Sequence, residues 1–267
     1  MGETSRLFYG GRRRRPRLAR AEGVHIWDVH GTRYIDGSSG AMVCNIGHSN
    51  PRVLEAMRAQ MEVATFGYRL HFETEPAERL ADRLADLAPE GLERVFFVSG
   101  GSEAVESALK LARSHALARG EAQRWKVISR FPAYHGCTLG ALSVTGYAPM
   151  TAPYAPMMVQ MPKVPAPRAY LDRRDADDPA TGHHYADMLE ARILAEGPET
   201  VLAFIHEPVG GASTGALVPP AGYMARIREI CDRHGVLLIH DEVISGGGRT
   251  GRFFAGDHWG VVPDLIT

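Results

Sequence analysis

His240, Asp241 and Glu242 follow directly on an aliphatic run in VLLIHDEV (236–243). Two adjacent carboxylates at the end of a buried strand are costly to desolvate, and a cationic group facing one of them would hold it ionised. Val243, two residues past Asp241, is placed to press against a flat ring. Two distant stretches supply matching chemistry. SGGSEA (99–104) is a glycine-rich turn between an apolar run and a helical pattern. Backbone N–H groups at a helix start hold phosphate, and Gly100 and Gly101 leave room for close approach. AYHGCTLGALS (133–143) sets Tyr134 and His135 just after the predicted strand KVISR, where an aromatic ring can stack on a planar cofactor. Taken singly, each stretch also fits an ordinary turn, a packed aromatic or a paired acid. Together, a phosphate holder, a stacking aromatic and a carboxylate for a ring nitrogen describe pyridoxal phosphate.

These residues need elements to carry them. GVHIWDVHGTRYID (23–36) alternates apolar and polar residues about a His-Gly turn and predicts an antiparallel hairpin. PRVLEAMRAQMEVA and TEPAERLADRLADLA have helical period, the second with Thr74 as N-cap. ERVFFVS (93–99) predicts a strand, followed by a helix with Val105, Ala108, Leu109, Ala112 and Ala116 on one face. KVISR, TVLAFIHE and VLLIHDE predict further strands, and AGYMARIREICDRHG a helix with Met224, Ile227 and Cys231 inward. Short apolar strands alternating with helices imply an α/β fold with a mainly parallel sheet flanked by helices, whose ligands sit at the strand C-termini. Residues 148–186, rich in proline and carrying DRRDADD, predict a long surface excursion.

Composition narrows the partners. With 45% hydrophobic and 23% charged residues, the 267-residue chain has ample material for a core. Thirty basic and 31 acidic residues balance to a formal charge of -1, which favours a small-molecule partner over nucleic acid or a membrane. No apolar run of membrane-spanning length occurs, and Cys44, Cys137 and Cys231 lack CxxC spacing, so a reducing cytoplasm is expected. RRRR at residues 12–15 reads as a solvated arm without assigned function. A metal enzyme is a competing reading through His183, His184, His206, His234 and His240, but their spacing matches no zinc motif, and no metal site is expected.

The stretches GVHIWDVHGTRYIDGSSG, NIGHSNPRVLEAM, SGGSEAVESALKLAR, AYHG, HEPVGGASTGALVPPAGYMARIREICDRHGVLLIHDEV and GRTGRFFA resemble the class III, or omega-type, aminotransferases of the fold-type I pyridoxal phosphate enzymes. The resemblance covers nearly the whole chain. It implies an N-terminal arm and small-domain segment over residues 1–50 and an incomplete large cofactor-binding domain over 51–267. It implies that Gly101 and Ser102 bind the cofactor phosphate through their N–H groups, and that Tyr134 and Val243 cover the two ring faces. Glu207 in HEPV resembles a buried glutamate near the cofactor, Asp241 the partner of the pyridine nitrogen, and His135 a support for the stacking aromatic. The implied activity moves an amino group from an amine or omega-amino acid to a 2-oxo acid, with a homodimer expected for the full-length protein. An aminomutase or decarboxylase of the same fold, or a truncated or catalytically inactive protein, is the alternative.

One departure bears on activity. In the family a lysine forming the Schiff base follows the strand resembling PDLIT, and then come a phosphate-binding threonine lent to the neighbouring subunit and a C-terminal small domain. Lys110, Lys126 and Lys163 do not match that lysine. The sequence is therefore expected to be a fragment that holds a cofactor cradle without its covalent anchor and without the C-terminal small domain. Gly247 in SGGGRTG stands where relatives carry a larger residue. Residues 38–43 and 66–72 (FGYRLHF) fall where relatives shape the substrate pocket, and their aromatics suit an apolar or extended donor.

Overall fold

The computed structural model describes Arg6 and residues 15–267, so most of the RRRR run lies outside the described residues. The chain divides into two compact units, Met1–Phe72 and Glu73–Thr267.

In the first unit, β1 (Leu18–Glu22), β2 (His25–Asp28) and β3 (Arg33–Ile35) form an antiparallel sheet in that order. The hairpin read from the sequence is β2–β3. Gly31 adopts φ +82° in its turn, a conformation open to glycine, and Asp28 Oδ1 accepts from the His30 and Thr32 amides at 2.9 Å each. β1 is an added strand that the alternation of LARAE does not announce. A kinked helical turn, α1 (Ser39–Met42), precedes α2 (Pro51–Val63), whose start is fixed by Asn50 accepting from the amides of Arg52 and Val53.

The second unit opens with α3 (Glu75–Leu87). Thr74 occupies its N-cap position, but its side chain makes no capping bond, and Glu75 and Glu78 complement the helix dipole in the first turn. Then follow α4 (Gly101–Ala118), β4 (Lys126–Phe131), α5 (Leu139–Val144), α6 (Ala148–Thr151), β5 (Lys163–Pro165), α7 (Pro179–Glu196), β6 (Val201–His206), α8 (Tyr223–His234), β7 (Leu237–His240) and β8 (Leu265–Ile266). The five strands form one parallel sheet in the order β5-β4-β6-β7-β8. Side chains alternate across it, as strand geometry requires. Ile128, Phe204 and Leu238 pack with α7 and α8, whereas Val127, Ala203, Ile205 and Ile239 pack with α4 and α5.

Two expectations are corrected. ERVFFVS is not a strand: residues 92–98 carry no ladder, and Phe96, Phe97 and Val98 are exposed. The physical reason is separation, since a cavity of about 970 Å³ lies between this segment and the edge strand β8, lined by Phe97 and Val98 on one side and Leu265 and Ile266 on the other. The 148–186 stretch is more than a surface excursion. It supplies strand β5 and the start of α7, where Tyr185 and Ala186 are buried. Pro149 and Pro179 sit at helix starts and Pro165 at the strand end, where a missing N–H is tolerated.

Candidate active site

Three strands deliver polar residues just past their C-terminal ends. β6 and β7 pair in register, His206 opposite His240, so Glu207 and Asp241 emerge side by side. The Asp241 amide donates to the His206 carbonyl at 2.9 Å. Alternation sends the two imidazoles to the opposite face, where their rings meet edge to face at 4.8 Å and His206 stacks on Phe204. Burial pushes the His240 pKa down to about 3, assisted by Arg228 and Arg130, and pushes His206 well below its ordinary value.

Asp241 is buried, and its Oδ2 lies 2.7 Å from Nδ1 of the buried His135, carried past the end of β4. A carboxylate can only accept, so Nδ1 of His135 carries the proton of this bond, and Nε2 is the ring's other nitrogen. That Nε2 is buried with no hydrogen-bond partner in the structure. The His135 amide donates to Thr145 Oγ1 at 2.9 Å, which fixes the backbone beneath the ring. Asp241 Oδ1 accepts from the Val243 amide at 3.2 Å. Tyr134 is half-buried, and its hydroxyl pKa is raised by burial and then by Cys137 and Asp241.

The start of α4 faces the same group. No side chain caps it, so the amides of Gly101 and Ser102 have no intrahelical acceptor. Val243 presses on this turn: a Cβ at Gly101 would fall 2.7 Å from Val243 Cγ1. Gly101, Ser102, Tyr134, His135, Asp241 and Val243 therefore converge within the second unit.

Glu207 belongs to a different pairing. Nη2 of the buried Arg130 donates to the Glu207 carbonyl at 2.6 Å and lies 3.6 Å from Oε2, while Oε1 accepts from the Gly211 amide at 3.2 Å. Oε2 itself is buried without a hydrogen bond. Arg130 is absent from the sequence reading. Its signal was an arginine near the buried end of the strand KVISR, where a charge needs a buried acid.

Glu242 resolves the double-acid puzzle. It turns away from Asp241, accepting from the amides of Ala255 and Gly256 at 2.8 Å each and from Ser245 Oγ at 2.9 Å, and burial raises its pKa. It holds the loop after β7 closed.

The lysines lie elsewhere. Lys126 starts β4, at the opposite end of the sheet, and its Nζ is 2.9 Å from Glu196 Oε2. Lys163 Nζ donates to the carbonyls of Ser143 and Met161, and burial lowers its pKa. Lys110 lies more than two turns along α4 from Ser102, about 12 Å at the helical rise. His183 and His184 sit on α7 and His234 pairs with Glu190, and among the described residues no group of three His, Cys, Asp or Glu side chains could hold a metal ion.

The aminotransferase class-III family profile matches residues 11–267. The chain belongs to the class III aminotransferases. An uncharacterized aminotransferase of Bacillus subtilis (strain 168), YodT, is 39% identical over 250 residues, covering 94% of this chain and 56% of its own length. A thermostable (S)-enantioselective omega-transaminase from Thermomicrobium roseum superposes with a TM-score of 0.89 at 40% identity, over 94% of this chain and 56% of that one. The omega transaminase from Pseudomonas jessenii, solved in complex with PMP, gives a TM-score of 0.89 at 33% identity over 95% and 56%. The chain thus spans about 56% of the length of these class III relatives. The parallel sheet flanked by helices is the fold-type I architecture these neighbours share. No described helix is long and apolar enough to cross a membrane.

Proposed function

We propose that this chain forms the cofactor cradle of a pyridoxal-phosphate-dependent aminotransferase that moves an amino group from an amine or omega-amino acid to a 2-oxo acid. The observation that carries this reading is the buried His135–Asp241 bond at the strand ends, opposite an uncapped helix start where glycine leaves no room for a side chain. Those features fit the cofactor: free amides for a phosphate, an aromatic for a ring face, and a carboxylate for a pyridine nitrogen.

When bound, the cofactor supplies an aldehyde that condenses with the donor amine and a pyridinium ring that absorbs the electron pair released with the donor's α-proton. The amides of Gly101 and Ser102 bind the phosphate, aided by the α4 dipole. Tyr134 and Val243 enclose the ring. Asp241 would hold the proton on the ring nitrogen, and the His135 bond orients its carboxylate. Glu207 presents a second buried carboxylate, balanced by Arg130. Since neither bonded lysine nor Lys110 sits at the cradle, the chain's own contribution is binding and ring electrostatics.

The proposed partners are a small-molecule amino donor and a 2-oxo acid acceptor, and the proposed assembly is a cytoplasmic homodimer, supported by the three free thiols and by Val53, Met57 and Met61 left exposed on α2. Functionally, residues 1–50 would serve as arm and small-domain segment and 51–267 as the cofactor-binding domain.

Pyridoxamine phosphate tests the reading, because it binds without a lysine. Calorimetric titration is expected to give saturable one-to-one binding that the phosphate-free pyridoxamine does not reproduce. Equal affinity for both compounds, or no saturation, contradicts it.

A further inference from the structure

Glu106 lies one turn after Ser102 on the same face of α4. Its Oε1 accepts from Thr138 Oγ1 at 2.8 Å, from the Gly140 amide at 3.0 Å and from the Ala141 amide at 3.3 Å. Thr138 occupies the N-cap position of α5 but makes no capping bond of its own, so a carboxylate from another helix satisfies the amides of that first turn. The approach leaves no space for a larger residue: a Cβ at Gly140 would fall 2.5–2.8 Å from the Glu106 carboxylate atoms. One turn earlier, Ser102 Oγ accepts from the Cys137 amide at 3.0 Å. Gly136, at φ +128°, runs so close that its Cβ would meet Ser102 Oγ at 2.7 Å.

We infer that Glu106 is a positioning residue that fixes the register between the phosphate-binding turn of α4 and the ring-binding segment Tyr134–His135. Ser102 and Glu106 grip residues 136–141 at two points one helical turn apart. The segment immediately before that grip carries Tyr134 and the imidazole bonded to Asp241. A ligand that spans phosphate and ring depends on the spacing of the two parts, whereas inorganic phosphate touches the α4 turn alone. This inference rests on the cofactor reading above.

The test compares Glu106→Ala and Glu106→Gln with the native chain by amide hydrogen exchange without ligand and by affinity for pyridoxamine phosphate and for inorganic phosphate. Glu106→Ala is expected to lose protection at Gly140 and Ala141 and to bind pyridoxamine phosphate about tenfold or more weakly, with phosphate affinity within about twofold. Glu106→Gln, which keeps an oxygen acceptor, is expected to stay within about threefold of native. Unchanged exchange in Glu106→Ala overturns the inference, as does an equal loss for both ligands, which marks a merely structural role. A native chain that binds neither ligand overturns the cofactor reading instead, and the exchange result then judges the clamp by itself.

Discussion

Asp241 and Glu242 are neighbours in sequence with opposite duties. Strand alternation sends Asp241 to His135 and Glu242 to the amides of Ala255 and Gly256. The sequence made Asp241 legible, because a carboxylate after VLLIH needs a partner, but it could not reveal that His135 is that partner, since 106 positions separate them. The imidazoles at His206 and His240 were visible only as loose metal-ligand candidates. The register that sets them edge to face follows from strand pairing, which no local pattern encodes. Their burial has a measurable consequence. The unfolded chain takes up a proton at His240 near 6.5, while the folded chain resists until about pH 3, so the unfolded state binds more protons across that window and acidification favours it. Going from pH 7 to pH 5 is expected to remove about 2 kcal/mol of stability through His240 alone. In urea denaturation, His240→Leu should lose about 2 kcal/mol less than native over that step. An identical loss in both proteins would show that His240 is not the titrating group.

Among the elements, α4 and α8 were plain in the sequence from a helical hydrophobic period with a glycine past each end, and β4, β6 and β7 from short runs built on aliphatic residues. Apolar content alone misled at ERVFFVS, where a strand needs a neighbour to pair with and the nearest sheet edge stands across a cavity. The reverse error affected residues 148–186. Prolines and charges masked a three-residue strand that is held by parallel pairing with β4, a nonlocal contact. Packing of α8 over the sheet is what holds Asp241's strand in place. Ile227 is fully buried there, so Ile227→Ala is expected to cost about 2–5 kcal/mol through lost contact and a cavity. Leu117, half-exposed on the last turn of α4, provides the contrast, with Leu117→Ala expected to stay within about 1 kcal/mol. Chemical denaturation of both variants checks the pair, and similar losses would contradict this placement of the core.

At the scale of the molecule, the cradle exists only because a parallel sheet brings three strand ends and one helix start to the same edge. Each motif was readable separately, and one cofactor's chemistry joined them before the family resemblance did. Arg130 and Glu106 escaped notice because their work is to position neighbours, and positioning leaves no motif. The proposed cofactor role of the cradle turns on one expected contact, Asp241 against a protonated ring nitrogen. It is tested most directly by the nitrogen NMR shift of pyridoxamine phosphate labelled at the ring nitrogen, bound to the native chain and to Asp241→Asn across neutral and mildly alkaline pH. The bound nitrogen is expected to stay protonated in the native chain at pH values where the free compound has lost its proton, and Asp241→Asn is expected to abolish the difference. A bound nitrogen that titrates like the free compound in the native chain would contradict it.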